Sequence, residues 1–279
     1  MAARLQTWEE GTVKKIEGLS LKDVQAVYSG PEGQLWELLM GEQIHLGGLT
    51  SSMQLAEAAG IREGSTGVDF CSALGAGVRF LLRFRKVARM YGVDATPHMQ
   101  DEARRRIAEE GLAERVELVL AEVTNSGLRS ASVDFAWGED AWCYVEDKPK
   151  LIAEAARAVK PGGVIAFTDW VEGKAGLTDA EAERFLRFMK FPNIQDLQGY
   201  PKLLEGSGCR VLKAVDTGRF GPCVDLYLNM VGTQLTYDAL RIIGFDQKML
   251  EGLAGEFQFI GQLAHAGKIA QGLFVARKW

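Results

Sequence analysis

An open α/β sheet, doubly wound and mostly parallel, is the fold class the sequence predicts, on three observations. Short apolar runs recur at 66–71, 87–93, 115–120, 133–137 and 163–168, amphipathic helical stretches fill most of the gaps between them, and the first run ends in a turn of small residues. Each run reads as a buried strand, and alternation of strand with helix favours parallel pairing through right-handed crossovers.

Taken in order, residues 1–60 carry helices that precede the sheet, with GEQIHLGG as a loop between them. TGVDFC (66–71) is the first strand and leads through a glycine turn into a helix over 76–85. VARMYGV (87–93) is the second strand; the helix after it spans 97–110, with Thr96 as its cap, Pro97 in its first turn and Gly111 at its close. RVELVL (115–120), VDFAW (133–137) and GVIAFT (163–168) are the next three strands, the last two separated by the amphipathic KLIAEAARAVK. Beyond Asp169 the rhythm changes. Residues 176–206 read as one or two helices, RVLKAVD (210–216) as a sixth strand, 233–267 as mostly helical, and QGLFVARKW as a final strand. The expected organisation is a helical cap over 1–60 and an α/β domain over 61–279, with helical insertions at 171–206 (a lid) and 233–267. Ligands of such sheets bind beyond the carboxyl ends of the strands, so these flanks are where a ligand pocket could be built.

The chain has 279 residues, 47% hydrophobic and 25% charged, an ordinary composition for a soluble domain. A net charge of −5 with no block of like charge disfavours nucleic acid or an anionic membrane as partner. The densest basic stretch, Arg79, Arg83, Arg85 and Lys86, reads as a solvated helix face. Four cysteines stand far apart with no metal-ligand spacing, so reduced thiols and no metal are expected. The opening residues lack an apolar run of signal-peptide type, and no segment reaches the ~18 apolar residues of a membrane span. A cytoplasmic protein without membrane insertion is the expectation.

The chemistry concentrates in VDFCSALGAGVRF, a strand, a turn and a helix. Small side chains at Cys71, Ala73 and Gly75 let a ligand approach the backbone, and the helix that follows aims free N–H groups at it. A dinucleotide fingerprint fails because Phe80 occupies its third glycine position, and no Gly-Lys-Ser/Thr of a P-loop follows. Asp94 ends the second strand about 20 residues on, the offset at which a carboxylate receives ribose hydroxyls. Glu122 occupies the analogous place after the third strand.

Together with GVDATP, LAEV, FAWGEDAWCYV and AVKPGGVIAFTDW, these motifs resemble the class I S-adenosylmethionine-dependent methyltransferases over roughly residues 35–279. GEQIHLGG and GKIAQGLFVARKW resemble, more narrowly, the small-molecule branch that includes sarcosine and dimethylglycine N-methyltransferases. The resemblance implies a Rossmann-like, seven-stranded, mostly parallel sheet with an antiparallel last strand. It also implies S-adenosyl-L-methionine as cofactor, and in-line methyl transfer to N or O of a small-molecule acceptor. A C-methyltransferase on a lipid-like or quinone acceptor, or a non-catalytic cofactor-binding descendant, are the alternatives; a homodimer is compatible with either.

Carried over by position, Asp69, Cys71, Ala73 and Gly75 line the cofactor turn, Asp94 with Ala95 holds the ribose, and Glu122 with Val123 faces the adenine. Gly138, Glu139 and Asp140 lie beside the methionine portion. The sequence departs from the family at Cys71 and Ala73, where glycine is usual, and both restrict the backbone. His45 and Asp140 are the candidate catalytic groups, while His98 and His265 read as structural and Asp169 is a further acid on the ligand side. Trp142, Tyr144, Trp170 and Tyr200 are candidates for an aromatic box around a methylated ammonium, and Arg219 for an acceptor carboxylate.

Overall fold

Among the residues 13–279 described by the computed structural model, three helices precede the main sheet, and the signal-type reading of residues 1–12 lies outside the described residues. After β1 (Lys14–Lys15) come α1 (Leu21–Tyr28), α2 (Pro31–Met40) and α3 (Gly48–Ala59). The alternating unit follows: β2 (Thr66–Phe70), α4 (Ala76–Phe84), β3 (Arg89–Asp94), α5 (Pro97–Glu109), β4 (Val116–Leu120), β5 (Val133–Glu139), α6 (Lys148–Ala158) and β6 (Val159–Glu172). Then come α7 (Asp179–Met189), β7 (Asn193–Ile194), α8 (Gly199–Gly206), β8 (Cys209–Asp216), α9 (Phe220–Gly232), α10 (Thr236–Ile242), α11 (Gln247–His265) and β9 (Ile269–Lys278).

The seven-stranded sheet runs β4-β3-β2-β5-β6-β9-β8. Pairings among β2 to β6 are parallel, and β9 enters antiparallel between β6 and β8. The predicted fold class therefore holds, including the antiparallel last strand. Successive strands step outward from β2 to β4, then the chain returns to the far side of β2 at β5, so the order reverses between β2 and β5. Ligands of open α/β sheets settle at such a reversal, beyond the carboxyl ends of the strands.

Alternation along each strand divides the core in two. Val68 and Phe70 of β2 pack on the side of Leu151 and Ile152 of α6, whereas Phe135 and Trp137 of β5 pack with Val78 and Leu81 of α4. Each large apolar side chain taken out of water contributes about 1.5–3 kcal/mol, which is why runs apolar on both faces commit to central strands. A third cluster joins Trp36 and Leu39 of α2 to Phe185 of α7, Phe220 of α9 and Leu263 of α11, seating the helices outside the sheet on one another.

Three local expectations are corrected. The fifth strand is longer than 163–168 because β6 begins at Val159 and runs through the Pro-Gly-Gly stretch, with a register shift against β5 between Val133 and Phe135. Helix α9 forms over 220–232, between the sixth strand and the helical stretch expected from 233. Arg79 is not solvated: it is buried, with its guanidinium paired to Glu42 at 2.6 Å and Glu110 at 2.5 Å. That arginine fastens the loop between α2 and α3 to the first sheet helix, beside the glycine turn.

Candidate active site

A cavity of 810 Å³ opens at the β2/β5 reversal, within the range of pockets that hold a drug-sized ligand. Asp69 at the end of β2, Asp94 at the end of β3, Glu122 after β4 and Glu139 at the end of β5 all line it. So do Cys71, Ala73, Ala95 and Val123, while Gly75 stands just behind the turn as the αL cap of α4.

The turn is held by backbone bonds and one carboxylate. Ser72 N donates to Val93 O at 3.1 Å and Gly75 N to Ser72 O at 2.7 Å. Asp94 accepts from Ala73 N at 2.9 Å and from Thr96 N at 2.8 Å. Thr96 does stand at the N-cap of α5, but its hydroxyl makes no cap bond; the aspartate takes its N–H instead. Cys71 and Ala73 both adopt left-handed backbone, with φ of +63° and +41°. Ile44, Asp140 and Lys190 are left-handed as well, and all five line the cavity. Backbone strain gathered around one cavity marks a site whose shape the surrounding fold enforces.

Close approach is built in. A Cβ on Gly77 would lie 2.6 Å from Asp69 Oδ2, so the first turn of α4 can pass over that carboxylate only as glycine. Gly77 went unnoticed in the sequence, although a small residue in the first turn behind a ligand-binding bend was its signal. Burial, followed by the charges of Glu139 and Asp94, holds the Asp69 carboxyl well above the usual carboxylate range. Burial raises Asp94 too, opposed by the N–H groups of Thr96 and Ala73. A crevice of mutually repelling acids is complementary to a cationic ligand.

Of the expected catalytic pair only Asp140 reaches the cavity wall. His45 is 1% exposed and does not line the cavity; its Nε2 lies 3.1 Å from Ser52 Oγ and 3.3 Å from Glu139 Oε1. Trp137 Nε1 donates to the other oxygen of Glu139 at 3.0 Å, so the indole holds this carboxylate from behind, while the imidazole stands beside Oε1 without a hydrogen bond to it. Asp140 does line the cavity, but both its oxygens are engaged, by Leu46 N at 2.8 Å and by Gln271 Nε2 at 2.9 and 2.7 Å. It ties the α2–α3 loop to β9. A His45→Gln protein is accordingly expected to keep the shape of its pH–rate profile while cofactor affinity falls about threefold through Glu139; disappearance of a limb from that profile would return His45 to proton transfer.

The aromatic box does not assemble. Trp142 is fully buried, stacked on Phe167 at 4.1 Å, and donates Nε1 to Phe70 O at 3.2 Å. Gly138 makes room for that indole, since a Cβ there would lie 2.2 Å from Trp142 Nε1. Trp170 packs against Phe220 at 4.6 Å, and Tyr200 donates its hydroxyl to Asp169. Of the four aromatics only Tyr144 lines the cavity. Arg219 faces elsewhere, bonding Ser51 at 2.6 Å, Gln271 at 2.9 Å and Gln54. Asp169 is also enclosed, accepting from Cys143 N at 3.0 Å, and burial raises its pKa to about 6. His265 pairs with Asp225 at 2.8 Å on the surface.

The wall that sequence reasoning missed comes from the front of the chain. Leu19, Leu21, Val24 and Tyr28 line the cavity, and Tyr28 and Tyr144 share a hydroxyl–hydroxyl bond of 2.8 Å. Gln25 Nε2 donates to Ala95 O at 2.7 Å, docking α1 on the loop after β3. Nothing in the sequence around Tyr28 signals a ligand contact.

Residues 68–167 match the family described as a methyltransferase domain. The chain is 34% identical over 116 residues to erythromycin 3''-O-methyltransferase of Saccharopolyspora erythraea, covering 42% of this chain and 38% of that one. It is 27% identical over 168 residues to dimethylglycine N-methyltransferase of Parasynechococcus marenigrum, covering 54% and 60% respectively. The chain thus spans less than two thirds of the length of these curated relatives. Its fold superposes with a TM-score of 0.79 on phosphoethanolamine N-methyltransferase 2 of Haemonchus contortus in complex with S-adenosyl-L-methionine, at 19% identity, over 94% of this chain and 60% of that one. Residues 68–167 therefore carry a methyltransferase domain, and in fold the chain is similar to S-adenosylmethionine-dependent methyltransferases.

Proposed function

We propose that the protein binds S-adenosyl-L-methionine across the ends of β2, β3 and β5 and methylates a small-molecule acceptor at N or O. The observation that carries this reading is one continuous cavity. Asp69, Asp94, Glu122 and Glu139 line it from the strand ends, and the tyrosine pair Tyr28–Tyr144 lines it from α1 and the segment after β5.

The residues present fit the cofactor. Asp94 offers its remaining lone pairs to ribose hydroxyls, Glu122 stands where an adenine amino group can donate, and Asp69 with Glu139 supplies negative charge for an ammonium. Gly77 leaves the space above Asp69 clear. The cofactor, when bound, supplies an activated methyl group on a sulfonium, so the chain's task is to orient the acceptor and exclude water. Residues of the helices before the sheet and of the insertion at 171–206 take the second part of that task, since Tyr28, Lys190 and Pro192 line the cavity. Four free cysteines suit a cytoplasmic setting. Among the described residues no helix is long and apolar enough to cross a membrane.

The test is a screen of small acceptors with S-adenosyl-L-methionine, read by mass spectrometry of product and by S-adenosylhomocysteine formed. Production of both above background with one acceptor is expected. Tight cofactor binding with no methylated product from any N or O acceptor would reduce the protein to a cofactor-binding descendant of the fold.

A further inference from the structure

The part of the cavity walled by α1 and the segments after α2, β5 and α7 is chemically selective, and what it selects can be derived from its walls. Leu19, Leu21, Val24, Ile44, Val145 and Pro192 make it apolar. Ser20 and Gln43 beside them are turned to Asp23 and Ser52, and the remaining neutral polar feature is the pair of half-buried tyrosines, whose rings meet edge to face at 5.6 Å with hydroxyls 2.8 Å apart. We propose that the acceptor is an uncharged molecule with an apolar body that presents a hydroxyl group to Tyr28 and Tyr144, and that methylation occurs on that oxygen. The proposal rests on the methyltransferase reading above.

An anionic acceptor is poorly served. Among the described residues neither arginine nor histidine lines the cavity, whereas Asp140, Glu146 and Asp147 do. Of the two lysines there, Lys150 is 72% exposed and paired with Asp147 at 2.9 Å, and Lys190 Nζ donates to Arg187 O at 3.2 Å. A carboxylate or phosphate would lose hydration without a buried cation to replace it.

The carboxylates that oppose an anion would draw an ammonium, but the aromatic box that a methylated one needs does not assemble among the described residues. Tyr144 alone of the four candidate aromatics lines the cavity, already in edge contact with Tyr28 and with Phe191 at 4.8 Å, while Trp142, Trp170 and Tyr200 sit in the core.

A neutral hydroxyl fits the pair. One tyrosine donates to the other, which leaves one O–H free to donate and oxygen lone pairs free to accept. Burial keeps both phenols protonated far above neutrality, so neither presents a charge. On transfer the C–S bond breaks with its electron pair staying on sulfur and a C–O bond forms. The acceptor's proton passes along the two tyrosine hydroxyls to water, each giving up one proton as it takes one.

Four probes on one scaffold test this: 4-hexylphenol, 4-hexylbenzoate, 4-hexylphenyl phosphate and 4-hexylbenzylammonium, titrated calorimetrically into the full chain saturated with S-adenosylhomocysteine. The phenol is expected to bind at least about tenfold more tightly than each charged probe. Tyr144→Phe and Tyr28→Phe should each weaken the phenol about fivefold, leaving S-adenosylhomocysteine affinity and melting temperature near the parent values. Equal or tighter binding of any charged probe, binding of none of the four, or phenol affinity unmoved in both variants overturns the proposal. S-adenosylhomocysteine failing to bind the parent protein would instead remove the cofactor reading, and this proposal with it.

Discussion

An Asp94→Ala protein is expected to bind S-adenosylhomocysteine roughly ten- to a hundredfold more weakly than the parent, because a charge-assisted hydrogen bond contributes about 1–3 kcal/mol and this carboxylate makes several. Two of them are internal. Asp94 accepts from Ala73 N and Thr96 N, so it fixes the cofactor turn and the start of α5 relative to each other. The remaining lone pairs face the cavity, where ribose hydroxyls would donate. Removing the side chain therefore takes away a ligand contact and loosens the turn that presents the others. Asp94→Asn should recover only part of the loss, since its amide NH₂ must oppose one of the two N–H donors. Calorimetry on both variants checks this, and an unchanged dissociation constant for Asp94→Ala would detach the carboxylate from the cofactor.

The same geometry fixes a pH dependence. Asp94 and Asp69 are both raised above their ordinary range, chiefly by burial. Their ionised forms are the ones that accept from a ribose or face an ammonium. Cofactor affinity should thus decline on acidification at a pH above the usual aspartate range, and return on alkalinisation.

Why the sheet and its acids were legible, and the acceptor wall was not, follows from what periodicity encodes. A central strand must be apolar on both faces, so TGVDF and VDFAW declare themselves, and an acid at the end of such a strand is placed at the carboxyl edge by the backbone alone. Asp94 followed from its offset from the glycine turn and Glu122 from the analogous place one unit on, whereas Asp69 and Glu139 were implied by the family resemblance. The residues after a strand leave in directions that tertiary packing decides. Trp142 and Tyr144 are two residues apart, yet Trp142 turns into the space above Gly138 and becomes core, while Tyr144 faces the cavity. His45 lies next to Ile44, which lines the cavity, but its own ring points back toward Ser52 and Glu139. Tyr28 reaches the site only because α1 folds over the ends of the strands, a contact of 116 residues' separation that no local pattern announces.

Restoring glycine at the two departures from the family pattern should make the protein both more stable and tighter for its cofactor. Left-handed backbone costs a residue with a Cβ roughly 1–2 kcal/mol, and Cys71 and Ala73 both adopt it. The turn keeps its shape because Ala73 N, Ser72 N and Gly75 N are each bonded, and Gly75, at φ +71°, is already glycine. Against the relief stands the extra freedom that glycine gives the unfolded chain, about 0.5–1 kcal/mol per site. The balance favours glycine at both positions. The Cys71→Gly/Ala73→Gly protein should melt roughly 2–5 °C above the parent and bind S-adenosylhomocysteine several-fold more tightly, since the cysteine side chain also leaves the cavity wall. Gly75→Ala is the opposite case. Its Cβ would meet Ile107 Cδ1 at 3.2 Å and Ala103 Cβ at 3.3 Å in the same left-handed conformation, so it should lower both quantities. A double-glycine protein that melts no higher than the parent would mean that the bend is not strained, and that Cys71 and Ala73 are tolerated because the cofactor turn fits them as they stand.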